Sequence, residues 1–135
     1  MPTLTVSCAP LQPLDRKRLA LAFTRQLKAL GADTAHCMVF FTPLAQGCVF
    51  SAGMPLPVTD REGLPAQFHV RINVAASRDR LAHESLASGL TQCLRTQFPQ
   101  AFIYLQFDPI LPEHVYFSAG ADLINAANPQ GMTGS

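Results

Sequence analysis

Val49-Phe50-Ser51-Ala52-Gly53 and Tyr116-Phe117-Ser118-Ala119-Gly120 are near-copies of one peptide, set 67 residues apart. Walking back from both without a gap, Leu44 meets Leu111, Phe40 meets Phe107 and Leu27 meets Leu94; walking forward, Leu56 meets Leu123. Four matching residues alone carry little weight. Here they fall at the same place in two units of equal length, the mark of an internal repeat.

Each unit reads as strand, helix, strand and short return strand. In the first, Thr3 to Cys8 alternates with Leu4, Val6 and Cys8 on one face. Asp15 can cap a helix whose stripe is Leu19, Phe23, Leu27 and Leu30, with Gly31 as the stop. Ala35 to Thr42 reads as a buried strand, Pro43 to Gly47 as a turn and Cys48 to Ser51 as the return strand. In the second, Phe68 to Ala75 alternates around Val70, Ile72 and Val74. A helix from about Asp79 to Thr96 turns Leu86, Leu90, Cys93 and Leu94 inward, Ala101 to Phe107 is the partner strand, and Val115 to Ser118 returns.

The fold class is therefore α/β (α+β), a tandem β-α-β repeat. Right-handed crossovers put both amphipathic helices on one face of a four-stranded sheet, with short hairpin strands added. The expected domain spans 1–124, with unit one at 1–56, a loop at 57–66 and unit two at 67–124. Residues 125–135, rich in Ala, Asn and Gly, read as a loose tail or an arm lying on a neighbouring subunit.

Composition narrows the function. Charged residues are 14% and apolar ones 48%, few charges for a monomer, and the bare sheet face asks for a partner subunit. A formal charge of +1 with scattered Lys and Arg gives no field for nucleic acid. Cys8, Cys37, Cys48 and Cys93 form no C-x-x-C pair and His36, His69, His83 and His114 no H-x-x-x-H pair, so no metal is expected. With no secretory leader pattern and no apolar run near the ~20 residues of a membrane span, the expected location is cytoplasmic, away from membrane.

Pro2 is the residue with unusual chemistry. Loss of Met1 makes its nitrogen a secondary amine. An α-amino group titrates near ~7.7 to 8.0, and apolar surroundings lower that, so it serves as a neutral base near pH 7. If Met1 stays, the nitrogen is an amide with no basicity.

Pro2 and the duplicated β-α-β plan together resemble the tautomerase superfamily across most of residues 2 to 123. Thr42 to Gly53 looks like the turn and hairpin that close each unit of the oxalocrotonate tautomerases. Phe68-His69-Val70 through Ser77-Arg78-Asp79 looks like the strand, loop and helix-opening arginine of the long-chain members, including the carboxymethyl-hydroxymuconate isomerases and chloroacrylic acid dehalogenases.

The resemblance implies Pro2 as catalytic base, Arg78 gripping a substrate carboxylate through two parallel donors, and Phe50 as an apolar wall near the proline. It implies a small anionic keto or enol acid as substrate, no cofactor and a homotrimer. His36 and His69 can titrate near such a site. Departures from the pattern are Gln12 and Met38, which stand where short members carry arginines. Neither a glutamate near Tyr116 nor a further arginine near Ala75 supports hydrolytic dehalogenation. The rival reading is a non-catalytic trimer or binding module that has lost the site; a ferredoxin-like regulatory domain shares the element order but does not predict the paired hairpins.

Overall fold

In a computed structural model describing residues 2–128, β1 (Thr3–Cys8) lies at the centre of a four-stranded sheet of order β2-β1-β5-β6. β2 (Met38–Pro43) runs parallel to β1 and β6 (Phe102–Ile110) parallel to β5 (Gln67–Ala75), while β1 and β5 are antiparallel. Thr3 pairs with Met38 and Gln67 with Phe102, so both parallel pairs carry the same offset of 35 residues. Two β-α-β units thus sit side by side about a local two-fold.

Both helices cover one face. Leu19, Phe23 and Leu27 of α1 (Pro13–Ala29) and Leu86, Leu90 and Leu94 of α2 (Arg80–Gln97) share one core with Leu4, Val6, Cys8, Phe68, Val70, Ile72 and Val74. A period of four in the helices and two in the strands aims every one of these side chains at the same interior. Burying such a side chain stabilises the fold by roughly 1.5 to 3 kcal/mol. The opposite face is bare: Met38, Phe40, Phe102 and Tyr104 are each about half exposed along its two edges.

Several expectations shift. Asp15 does not cap α1; Gln12 holds the N-cap position without a side-chain bond, and Pro13, whose fixed φ suits the first turn, opens the helix. The strand expected from Ala35 begins at Met38, because Thr34–His36 forms a 3-10 turn capped by Asp33. The return strands are hairpins: β3 (Phe50–Ser51) pairs with β4 (Met54–Pro55), and β7 (Tyr116–Phe117) with β8 (Ile124–Asn125). Asn125, at the start of the expected arm, is buried, donates to the Glu113 carbonyl at 2.9 Å and accepts from the Ala127 amide at 2.9 Å. The rest of that arm beyond residue 128 lies outside the described residues.

The gap-free alignment also needs correction inside the strands. Leu27 and Leu94 are both fully buried, as the pairing requires, but Phe40 faces away from the helices while Phe107 packs against the core. Burial matches Leu4, Val6 and Cys8 to Val70, Ile72 and Val74, one residue short of the helix spacing. A strand has period two, so a one-residue slip sends every side chain to the wrong face. The second unit absorbs the difference with one more residue before its helix and one fewer after it.

Candidate functional site

Pro2 precedes β1 and is tied into the sheet by its carbonyl, which accepts from the Met38 amide at 3.3 Å. Because β1 is antiparallel to β5, the start of β1 lies beside the end of β5, and the turn that leads into α2 carries Arg78 to the same place. Pro2 and Arg78, from opposite halves of the chain, line one pocket of about 230 Å³. Leu27, Leu30, Ala32, Val74 and Ala75 supply its apolar wall, and Asp33 and His36 the rest of its polar edge.

The half-buried Arg78 is held by both ends. Its amide donates to the Ala75 carbonyl at 3.0 Å, and its Nη1 donates to the Leu30 carbonyl at 2.9 Å. Leu30 is the C-cap of α1, so the guanidinium satisfies a helix-end carbonyl and sits at the negative end of the helix dipole. A guanidinium has five N–H donors, so further donors remain for an anion.

Asp33 is fixed as firmly. Its Oδ1 accepts from the Ala35 amide at 3.0 Å, and its carbonyl accepts from the His36 amide at 3.0 Å and Cys37 Sγ at 3.3 Å. The His36 ring meets Phe117 at 6.1 Å between centroids, tilted by 53°.

Phe50 does not reach this pocket in its own chain. Its hairpin follows the end of β2, whereas Pro2 lies beside the start of β2. Phe50 stands 60% exposed, and its neighbour Ser51 lines a separate groove with Leu56, Pro57 and Phe102. The aromatic hairpin residue on the Pro2 side is Phe117, because β6 ends there: the Ala76 amide donates to the Ile110 carbonyl at 2.8 Å. His69 is also remote from Pro2. Its Nε2 lies 2.7 Å from Gln67 Oε1, while Gln67 Nε2 donates to the Pro57 carbonyl, fastening the 57–66 loop to β5. Burial pushes the His69 pKa down.

The second half does not repeat the pairing of Pro2 with Arg78. At the strand spacing, Phe68 answers to Pro2; it is fully buried and packs on Phe98 at 5.1 Å between ring centroids. Leu11, which precedes the α1 N-cap as Arg78 precedes the α2 N-cap, is buried.

No family model and no curated protein matches the sequence. Solved structures do match. Pt0534 inactivated by 2-oxo-3-pentynoate superposes with a TM-score of 0.74 at 16% identity, covering 93% of this chain and 96% of that one. A fused 4-OT wild type, an asymmetric trimer, gives 0.71 at 19% with the same coverage. N1, of the cis-3-chloroacrylic acid dehalogenase family, gives 0.66 at 19%, covering 92% and 85%. The chain has the tautomerase-superfamily fold. Within that tautomerase fold, the pocket headed by Pro2 joins the two halves at one end of the sheet. Among the described residues no group of three or more His, Cys, Asp or Glu is close enough to hold a metal, and no helix is long and apolar enough to cross a membrane.

Proposed function

We propose that the protein is an isomerase that moves a proton between oxygen and carbon of a small keto or enol acid. Pro2, freed of Met1, takes the enol proton on its ring nitrogen and returns it to carbon, while Arg78 holds the carboxylate. Proton and charge balance over the cycle, so no cofactor is needed. The observation that carries this reading is the meeting of Pro2 and Arg78 on one small pocket walled in part by Leu27, Leu30, Ala32, Val74 and Ala75. Apolar walls disfavour the ammonium form and keep the amine a base.

The working form is a homotrimer, in keeping with the trimeric fused 4-OT structures and with the apolar edges of the bare sheet face. Phe50, exposed on its hairpin, then serves a site on a neighbouring protomer. Four unpaired cysteines fit a cytoplasmic location.

One observation favours the rival, a binding module without catalysis: Arg78 already has a structural partner in the Leu30 carbonyl. Intact mass separates the two at the first step, since only a chain without Met1 can act through Pro2. Reaction with 2-oxo-3-pentynoate then reports the amine. Addition of the nitrogen across the alkyne moves its proton to carbon, giving an adduct of the summed masses on residue 2. Turnover of phenylpyruvate enol by wild type, lost in Pro2→Ala, completes the case. Equal rates in both remove Pro2 from the mechanism.

A further inference from the structure

We propose that Asp33 makes this pocket selective for substrates carrying a single carboxylate, an inference that rests on reading the Pro2 pocket as the substrate site. Among the described residues of its wall, Arg78 and Asp33 are the pair of opposite fixed charge, and His36 is the remaining ionisable side chain. A carboxylate held by Arg78 brings one negative charge into a space whose formal charges otherwise cancel. A second carboxylate on the same small molecule has no further cation to meet among the described residues of this protomer's wall. At about 230 Å³ the pocket is also smaller than the ~300 to 1,000 Å³ of drug-sized sites, so a small acid held by Arg78 lies close to Asp33.

The Asp33 side chain is exposed and is tethered at the pocket edge by one capping bond. Its Oδ1 is engaged by the Ala35 amide at 3.0 Å as the cap of the 3-10 turn, and its carbonyl by the His36 amide and Cys37 Sγ. The carboxylate so tethered is a repulsive element, which is how a site rejects the wrong ligand without improving its hold on the right one. Two other cations of this chain are already paired: Arg80 with Glu84 at 2.9 Å on the outer face of α2, and Arg71 with Asp108 at 2.7 Å on the bare sheet face; Lys28, in the last turn of α1, is not among the residues lining the pocket.

The test compares Asp33→Asn and Asp33→Ser with wild type. Both replacements can still accept from the Ala35 amide, so the turn keeps its cap. Turnover is measured with phenylpyruvate enol, one carboxylate, and 2-hydroxymuconate, two. Binding of the unreactive pair 3-phenylpropanoate and adipate is measured by calorimetry at low and high salt. Wild type is expected to favour the monocarboxylate in both assays. The variants should narrow the ratio by about three- to tenfold, mainly through KM and Kd, the size of a unit repulsion across several ångströms at a wet surface. High salt should narrow the wild-type ratio in the same direction. A ratio unchanged in the variants and indifferent to salt overturns the proposal, even if turnover is normal and Pro2 is confirmed as the base. Selective binding that the variants relax, without turnover in wild type, leaves the proposal standing and defeats the isomerase reading instead.

Discussion

Arg78 carries two loads that different substitutions should separate. Its Nη1 donates to the Leu30 carbonyl at 2.9 Å, closing the end of α1, and the residue lines the pocket headed by Pro2. A hydrogen bond from a charged donor contributes about 1.5 to 3 kcal/mol; with Arg78 only half buried, about 1 to 2 kcal/mol is the reasonable share. For a chain of 135 residues that corresponds to a fall in Tm of about 4 to 7 °C in Arg78→Met. Arg78→Lys keeps a cation at the negative end of α1 and one donor for Leu30, so it should recover about half of that loss. It should not recover the parallel pair of bonds to a carboxylate, and kcat/KM should stay about 30- to 100-fold below wild type in both variants. Calorimetric scans at matched protein concentration and enol turnover read the two effects separately. If Arg78→Lys works as fast as wild type, the fork geometry is not what holds the substrate. If Arg78→Met melts with wild type, the Leu30 contact has no structural weight.

Two further predictions concern stability. Ala52 is the one non-glycine with positive φ among the described residues, at 51°, followed by Gly53 at 79°. That two-residue turn prefers Asn-Gly, so Ala52→Asn should stabilise by about 0.5 to 1 kcal/mol in urea unfolding. Ala119→Asn, in the matching peptide, should give no gain; equal gains at both sites would refute the assignment. For His69, burial lowers the folded pKa below the unfolded value near ~6.5, so the unfolded chain binds more protons in the window just below that value. Its contribution is complete above about pH 6.5 and shrinks as pH falls through the window, so Tm should drop between pH 7.5 and 5 in wild type and drop less in His69→Gln.

The twin peptides show how far sequence reasoning reaches here. They locate the repeat, the two helices and the hairpins, because amphipathic helices tolerate a one-residue error in alignment and still present the same stripe. Strands do not, and the slip between Phe40 and Phe107 appears only when the sheet is paired. The same peptide also closes two different loops: β3 and β4 are joined by Ala52-Gly53 alone, whereas β7 and β8 are separated by residues 118–123. Gly120 has positive φ and Ala119 does not. Nothing within four residues distinguishes them; the partner strands do.

The site was legible in its chemistry but not in its company. Pro2 stands out by the functional group it can expose, and Arg78 by its place before a helix. Asp33 left no pattern and His36 stood out only as a histidine, since both belong to an irregular turn after α1 whose position depends on β1 lying between β2 and β5. Given that strand order, the start of β1 must meet the end of β5 and the segment leading into β2, and both residues follow. The resemblance implies Phe50 beside the proline, whereas the antiparallel junction brings the other half's hairpin, with Phe117, to that end of the same chain.

The same junction explains why a duplicated chain pairs such residues only once among those described. Under the proposed chemistry the base is an amine, and an amine on the main chain exists only where no residue precedes it. At any internal position the nitrogen belongs to a peptide bond, so proline at residue 68 could not restore a base to the second half. That place is free to become core, and it has: Phe68 is fully buried against Phe98, and Leu11 is buried where Arg78's counterpart would stand. Polar groups kept there would be buried without a partner, at a cost of about 1 to 3 kcal/mol each. The asymmetry between Pro2 with Arg78 and Phe68 with Leu11 is thus the arrangement in which one half stabilises the fold and the other remains open to a ligand.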